Sequence, residues 1–116
     1  MTIQDLQFLS WKTAEEKGFH EGRAGSRDDA LVRICLIHTE ASEAAQLVKR
    51  RWPQDTNVLS EEFRNELAEE LADILIRVGD LAECCMLDLD KAVKLKMAKN
   101  AGRNRLYGTP NEEHKS

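Results

Sequence analysis

The strongest constraint on the fold is the stretch of residues 60–86, where apolar and charged side chains both recur at the spacing of an α-helix. Intervals of three and four residues place side chains on one face of a helix. The apolar stripe comprises Leu67, Leu71, Ile74, Val78, Leu81 and Cys85, and the charged stripe beside it comprises Glu66, Glu70, Asp73, Arg77 and Asp80. Acids stacked along one line repel one another unless solvent, a cation or a basic ligand faces them. The stretch therefore predicts a long helix that could hold a metal ion.

The rest of the chain predicts three more helices and no strand. The composition is helical, with 5% aromatic residues and two prolines among 116 residues. Helix N-caps are expected at Thr2, at Ser26 or Asp28, and at Asp88 or Asp90. The first two of these helices are expected to end near residues 18 and 51, and Gly102 and Gly108 suggest that the end of the last one frays. We therefore predict an all-α, four-helix bundle-like fold, with a single domain over residues 1–108 and a disordered tail over residues 109–116.

Charge, hydropathy and cysteine usage exclude several classes of function. A formal net charge of −4 argues against a surface for duplex nucleic acid, because such surfaces carry an excess of basic residues. No apolar run approaches the length of a membrane span, and the first residues do not resemble a signal peptide. Cys35, Cys84 and Cys85 form no C-x-x-C pair and lie in apolar helical patterns. We therefore expect small buried thiols in a reducing, cytoplasmic compartment.

Two pairs of acids carry the predicted chemistry. Glu40 and Glu43 are three residues apart in the second helix, and Glu70 and Asp73 have the same spacing in the third. If these helices pack antiparallel, the four carboxylates can converge between them. Carboxylate oxygens select hard cations such as Mg²⁺, for which Mn²⁺ can substitute. Each pair alone is also typical of a solvated helix face, so a non-catalytic helical interaction or regulatory protein stays open as the alternative.

A di-iron centre is disfavoured, although it too uses carboxylates on bundled helices. Such centres require a Glu-x-x-His motif on each of two helices. The nearest histidine, His38, precedes Glu40 by two residues and lies on a different face. We expect His38 to be a partly buried structural residue.

The acid pairs also carry a resemblance to a known family. Glu40-x-x-Glu43 followed by Glu70-x-x-Asp73 is similar to the E-x-x-E…E-x-x-D signature of the MazG-like nucleoside triphosphate pyrophosphohydrolases. The segments EELADILIRVGDLAE and LDLDKAVKLKMAKNAGRNRLYG resemble the family's third helix and its closing K-x-x-x-N-x-x-R segment, so the likeness spans about residues 31–108. It implies that the four acids bind Mg²⁺. It further implies that water attacks a (deoxy)nucleoside triphosphate between the α- and β-phosphates, giving a monophosphate and pyrophosphate in nucleotide-pool cleaning.

The resemblance extends to residues that would contact the substrate. It implies that Lys96, Asn100 and Arg103 face the phosphates or the sugar. Residues 103–108 differ from the R-P…H-G run that closes many relatives, and Arg77 stands where pyrimidine-selective relatives carry an aromatic residue. Base preference is therefore not carried over. The related phosphoribosyl-ATP pyrophosphohydrolases are a second enzymatic alternative, distinguished by substrate.

Two further residues are candidates from their own chemistry. Arg77 either reaches a phosphate or pairs with Asp73 or Asp80. Trp11 either stacks on the base of the nucleotide or packs in the core or an interface.

The chain has more apolar positions than four helices can bury with one stripe each. The surplus includes Leu31, Ile34, Ile37, Leu47, Leu75, Leu81 and Leu89. Since homo-oligomers are usually closed and two-fold, we predict a homodimer or homotetramer with the second and third helices at the interface. Trp11 or the basic fourth helix of a neighbouring subunit would then complete the nucleotide pocket.

Overall fold

The computed structural model describes residues 1–20, 25–55 and 58–103, which form four α-helices and no strand. These are α1 (Ile3–Glu16), α2 (Arg27–Arg51), α3 (Glu61–Cys84) and α4 (Leu89–Ala101). The all-α prediction is confirmed. Of the two N-caps expected for α2, Ser26 is the one used, so this helix begins at Arg27. The predicted tail over residues 109–116 lies outside the described residues.

Each helix begins at a polar side chain that caps it. Thr2 Oγ1 accepts a hydrogen bond from the Asp5 backbone N–H, and an Asp5 carboxylate oxygen accepts one from the Thr2 N–H, both at 3.0 Å. This reciprocal pair satisfies two backbone donors that the first turn leaves without partners. Ser26, Ser60 and Asp88 accept single hydrogen bonds from backbone N–H groups of α2, α3 and α4.

Helix α3 ends two residues before the predicted boundary. Met86 adopts a left-handed conformation with φ of 56°, and the Leu87 N–H donates to the Ala82 carbonyl at 2.9 Å. Together with a 3.0 Å bond from the Met86 N–H to the Glu83 carbonyl, these contacts form a Schellman motif. The chain reverses direction there without a glycine, so the sequence did not indicate that α3 ends at Cys84.

Helix α3 is the centre of the packing. Both α1 and α2 pack against α3, while α4 packs against α1. The described residues therefore form a layer of three helices with a fourth attached at its edge, which is more open than a closed four-helix bundle. Ion pairs join Arg51 to Glu66 near one end of the α2–α3 pair and Arg33 to Asp80 near the other. Late residues of α2 thus meet early residues of α3, so these two helices are antiparallel.

The buried core of a single chain is small. Among the described residues the buried apolar side chains are Ala14, Phe63 and Ala82. Trp52 packs edge-on against Phe63, with ring centroids 5.6 Å apart, yet is itself exposed. Large apolar side chains exposed on α2 and α3 are Leu31, Val32, Ile34, Leu71, Leu75 and Ile76. The apolar surface of these two helices is therefore only partly covered within one chain.

Two expectations about burial are wrong. His38 is exposed, and Cys35 is exposed while Cys84 and Cys85 are only half-buried. The period of a helix identifies which residues share a face, but the side of the helix that meets a neighbour depends on packing. All three cysteines are free thiols. Among the described residues, no helix combines the length and the apolar character that a bilayer crossing requires.

Gly79 allows α1 and α3 to approach closely, and this yields a prediction. A Cβ at this buried position would lie 3.0 Å from Ser10 Oγ and 3.2 Å from the Leu6 carbonyl oxygen. We expect Gly79→Val to lower the free energy of unfolding by about 1–3 kcal/mol, measured in urea, because α1 must shift to admit the side chain. Gly79→Ala should show a smaller loss, offset in part by the better helix propensity of alanine.

Gly102→Ala is the matched control for this substitution. Its added Cβ would meet no atom closer than 3.7 Å, and the backbone has an ordinary φ of −82°. No loss of stability is expected there. A Gly79→Val protein as stable as the wild type would show that α1 does not pack on this face of α3.

Candidate functional site

The structure brings three of the predicted acids together between α2 and α3. One carboxylate oxygen from each of Glu40, Glu43 and Glu70 lies within 4.8 Å of the other two. Glu40 and Glu43 are one turn apart on α2, and Glu70 faces them from the antiparallel helix α3. Asp73 is not a member of this group of three. We refer to Glu40, Glu43, Glu70 and Asp73 together as the acid cluster.

Asp73 faces a cavity beside the acid cluster. The cavity has a volume of about 200 Å³ and lies between α1, α2 and α3. Glu40 lines it together with Asp73, so the two predicted acid pairs share this space. Its other walls include Lys17, Phe19, Ile76 and Arg77. Basic, acidic and apolar groups therefore surround one opening, which suits a ligand with both charged and apolar parts.

Glu70 has the least favourable environment in the acid cluster. Its Oε1 atom is buried and has no hydrogen-bond partner among the described residues. Loss of hydration raises the pKa of the Glu70 carboxyl, and the charges of Glu43, Asp73 and Glu40 raise it further. An unpartnered buried carboxylate oxygen among other acids is the environment that a bound cation would relieve.

Arg77 does not form the expected ion pair with Asp73 or Asp80. Its Nε donates to Glu40 Oε2 at 3.1 Å, so its carboxylate partner is on α2 rather than being Asp73 or Asp80 on its own helix. The arginine side chain is half-buried and also lines the cavity. It thus places one positive charge at the edge of the acid cluster. Whether it reaches a phosphate stays a prediction.

The other predicted substrate contacts lie on α1 and α4. Trp11 stacks on Phe8 and on His20, with ring centroids 6.4 Å and 5.4 Å apart. Lys96 and Asn100 are exposed on α4, and Arg103 follows that helix. Because α4 packs against α1, whereas the acids lie on α2 and α3, packing within one chain does not join α4 to the acid cluster. Trp11 lies on α1, which does pack against α3.

A second group of polar residues, which the sequence analysis did not predict, adjoins the same cavity through Asp80. Asp80 is buried, and its two carboxylate oxygens accept from different cations. Oδ1 is 2.8 Å from His20 Nε2, and Oδ2 is 2.5 Å from Arg33 Nη1. Arg33 Nε also donates to Asp29 at 2.7 Å, and His20 Nδ1 lies 2.5 Å from a Glu15 oxygen. We call these five residues the buried ion network.

The network changes the proton affinities of its members. Burial lowers the pKa of His20, but hydrogen bonds to Glu15 and Asp80 outweigh that effect and leave it above its ordinary value. Cys84 lies beside the network, and burial together with the Asp80 charge raises the pKa of its thiol to about 11. The one sequence signal for this group was Arg33, a cation four residues after Asp29 within an otherwise apolar helical pattern.

Comparison with known proteins adds no family. No model of a known protein family matches the chain, and no curated protein is significantly similar to it.

The unfavourable environment of the Glu70 carboxylate predicts that the stability of the fold depends on pH. A carboxyl whose folded-state pKa is raised contributes stability that is fully present below the unfolded value, near 4.5, and is lost as the pH rises through the folded-state pKa. Glu70→Gln should therefore stabilise the metal-free protein at pH 7, and its advantage over the wild type should shrink on acidification. Urea unfolding in the presence of a chelator measures both.

Glu69→Gln is the control, since Glu69 is the exposed neighbour of Glu70 on the same helix. It should alter stability little at either pH. Equal effects of the two substitutions would mean that overall charge, and not the packing of Glu70, sets the pH dependence.

Proposed function

We propose that the protein is a Mg²⁺-dependent (deoxy)nucleoside triphosphate pyrophosphohydrolase that releases a monophosphate and pyrophosphate, with a role in nucleotide-pool cleaning. The observation that carries the proposal is the buried, unpartnered Glu70 Oε1 opposite Glu40 and Glu43. Carboxylates that only coat a surface would keep their hydration. A dehydrated carboxylate oxygen that faces two others fits a cation with oxygen ligands.

The donor set matches the chemistry of the proposed metal. Glu40, Glu43, Glu70 and Asp73 supply oxygen atoms only, which suits Mg²⁺ and permits Mn²⁺. When bound, Mg²⁺ would neutralise charge on phosphate oxygens and make an attacking water more acidic. A carboxylate of the cluster that is not used for binding is positioned to accept the proton of that water.

The cavity supports a nucleotide as the ligand. Asp73 and Glu40 line the cavity on the side of the acid cluster. A nucleotide whose triphosphate binds at the acid cluster would therefore extend into the cavity. Lys17 and Arg77 can offset phosphate charge, while Phe19 and Ile76 supply apolar surface for the nucleoside. Hydrolysis of a phosphoanhydride requires little more of the protein than positioning and charge neutralisation.

The first test of this function is substitution within the acid cluster. Glu43→Gln and Asp73→Asn each remove one charge with almost no change of volume. Each should lower turnover by roughly two orders of magnitude or more while helicity, measured by circular dichroism, stays intact. Glu69→Gln should keep normal activity. Near-normal activity of either cluster variant would remove that residue from the metal site.

Product analysis decides the reaction type. The assay is run with the eight common ribo- and deoxyribonucleoside triphosphates, with Mg²⁺ and with a chelator. Pyrophosphate and a monophosphate are the expected products, and a nucleoside diphosphate with orthophosphate would contradict the proposal. A helical adaptor would show neither hydrolysis nor a rise in melting temperature on adding Mg²⁺.

We further propose that the active form is at least a homodimer. The exposed apolar residues of α2 and α3 lie on the same two helices as the acid cluster, and the core of one chain is too small to account for the apolar content of these helices. Lys96, Asn100 and Arg103 lie on or just after α4, away from the packing between α2 and α3. A two-fold partner could therefore present its α4 or its Trp11 to this chain's acid cluster.

Leu75→Glu tests this assembly, because Leu75 is 53% exposed on α3. The wild type should sediment as a dimer or tetramer at low micromolar concentration, and Leu75→Glu should shift the equilibrium towards monomer by burying a charge. A folded, fully active wild-type monomer would contradict the proposal.

A further inference from the structure

His20, Asp80 and Cys84 bring three different kinds of metal-binding atom to one point. His20 Nε2 lies 2.8 Å from Asp80 Oδ1, and Cys84 Sγ lies 3.8 Å from the same oxygen. All three atoms are within 4.8 Å of one another. Asp80 and Cys84 are one turn apart on α3, and His20 reaches them from the segment that follows α1. This arrangement is separate from the acid cluster, which offers oxygen atoms alone.

The surroundings of these three side chains fix their orientation. His20 Nδ1, the nitrogen that faces away from Cys84 and Asp80, is 2.5 Å from a carboxylate oxygen of Glu15. A carboxylate in this position orients the imidazole of a metal-bound histidine and makes it more basic. Arg33 occupies Asp80 Oδ2 and leaves Oδ1 to the histidine and the thiol. His20 and Asp80 are only 2% and 5% exposed, so surrounding atoms enclose both side chains.

We propose that His20, Asp80 and Cys84 form a binding site for Zn²⁺ or a similar borderline-soft divalent cation. Nitrogen, sulfur and one carboxylate oxygen are the ligands that zinc takes from proteins, and three protein ligands with one water form a common zinc coordination set. Asp80 also lines the 200 Å³ cavity, which gives a metal ion and its water a route inwards. Zinc would tie the end of α1 to α3 and so stabilise the fold. This site does not depend on the proposed hydrolysis.

Zinc can bind at this site without changing the net charge of the buried region. Without metal, both ring nitrogens of His20 face carboxylate oxygens, so both must carry protons to donate. Zinc would replace the proton on His20 Nε2 and the proton on the Cys84 thiol. Two positive charges leave as protons and two arrive as Zn²⁺, so the net charge of this buried region does not change. The two protons pass to the solvent.

Cobalt substitution tests the site in the 116-residue chain. Chelator-treated protein is titrated with Co²⁺ in the presence of saturating Mg²⁺, which competes at the acid cluster. We expect one equivalent of Co²⁺ to produce a thiolate-to-cobalt charge-transfer absorption band, which carboxylates cannot produce. Cys84→Ser should lose this band. Cys85→Ser, which changes the adjacent cysteine outside the cluster, should retain it.

Zinc itself provides the second readout. Calorimetry in buffers of different ionisation enthalpy should show two protons released per Zn²⁺, and affinity should rise about 100-fold per pH unit while both ligands start protonated. The wild type and Cys85→Ser should gain melting temperature with Zn²⁺, and Cys84→Ser should gain none. No charge-transfer band in the wild type, a band that survives in Cys84→Ser, or zinc binding without proton release would each overturn the proposal.

Discussion

The bond between Arg33 and Asp80 is the contact on which the geometry of this protein depends. Both residues are 5% exposed, and they join α2 to α3 at 2.5 Å. A buried charge is tolerated only when its partners are in place, and removing one partner of such a pair costs about 3–5 kcal/mol. Few large apolar side chains are buried nearby to hold the helices in another arrangement. The pair therefore selects one register between α2 and α3.

That register places the acid cluster. Glu40 lies seven residues after Arg33, and Asp73 lies seven residues before Asp80. Seven residues are about two turns of helix, so each stays on the same face as its starting residue. Because α2 and α3 run antiparallel, Glu40 and Asp73 lie at about the same level beside one cavity, and Glu43 and Glu70 lie one turn further on. The convergence of the acids is thus a consequence of a salt bridge two to three turns away.

Local structure was predictable from the sequence because its causes are local. Thr2, Ser26, Ser60 and Asp88 each accept from a backbone N–H three residues ahead, so residue types alone reduced each helix start to one or two candidate caps. The convergence of Glu40, Glu43 and Glu70 followed from their spacing once an antiparallel pair was assumed.

Partners across helices were not predictable. Arg77 has acids within reach on its own helix, but it pairs with Glu40, because the register of α2 brings a carboxylate to it. His20 follows Phe19 in the segment after α1, and nothing in its sequence neighbours indicates that it is buried against Asp80. Such contacts depend on the long-range packing of α1 and α2 against α3. Helical periodicity carries no information about that packing.

The buried polar groups of this fold find their partners within one chain, whereas its apolar surface is only partly covered. This difference connects the structure to the proposed assembly. The buried ion network is satisfied within one chain, since Asp80, Arg33 and His20 all have charged partners. The apolar faces of α2 and α3 are not satisfied, because leucine and isoleucine side chains there remain about half exposed. Directional contacts can fix the register of two helices, but most of the stability of a small domain comes from burying apolar area. One chain therefore sets the geometry of the acid cluster, and a second copy against the same two helices would supply the burial that holds it rigid.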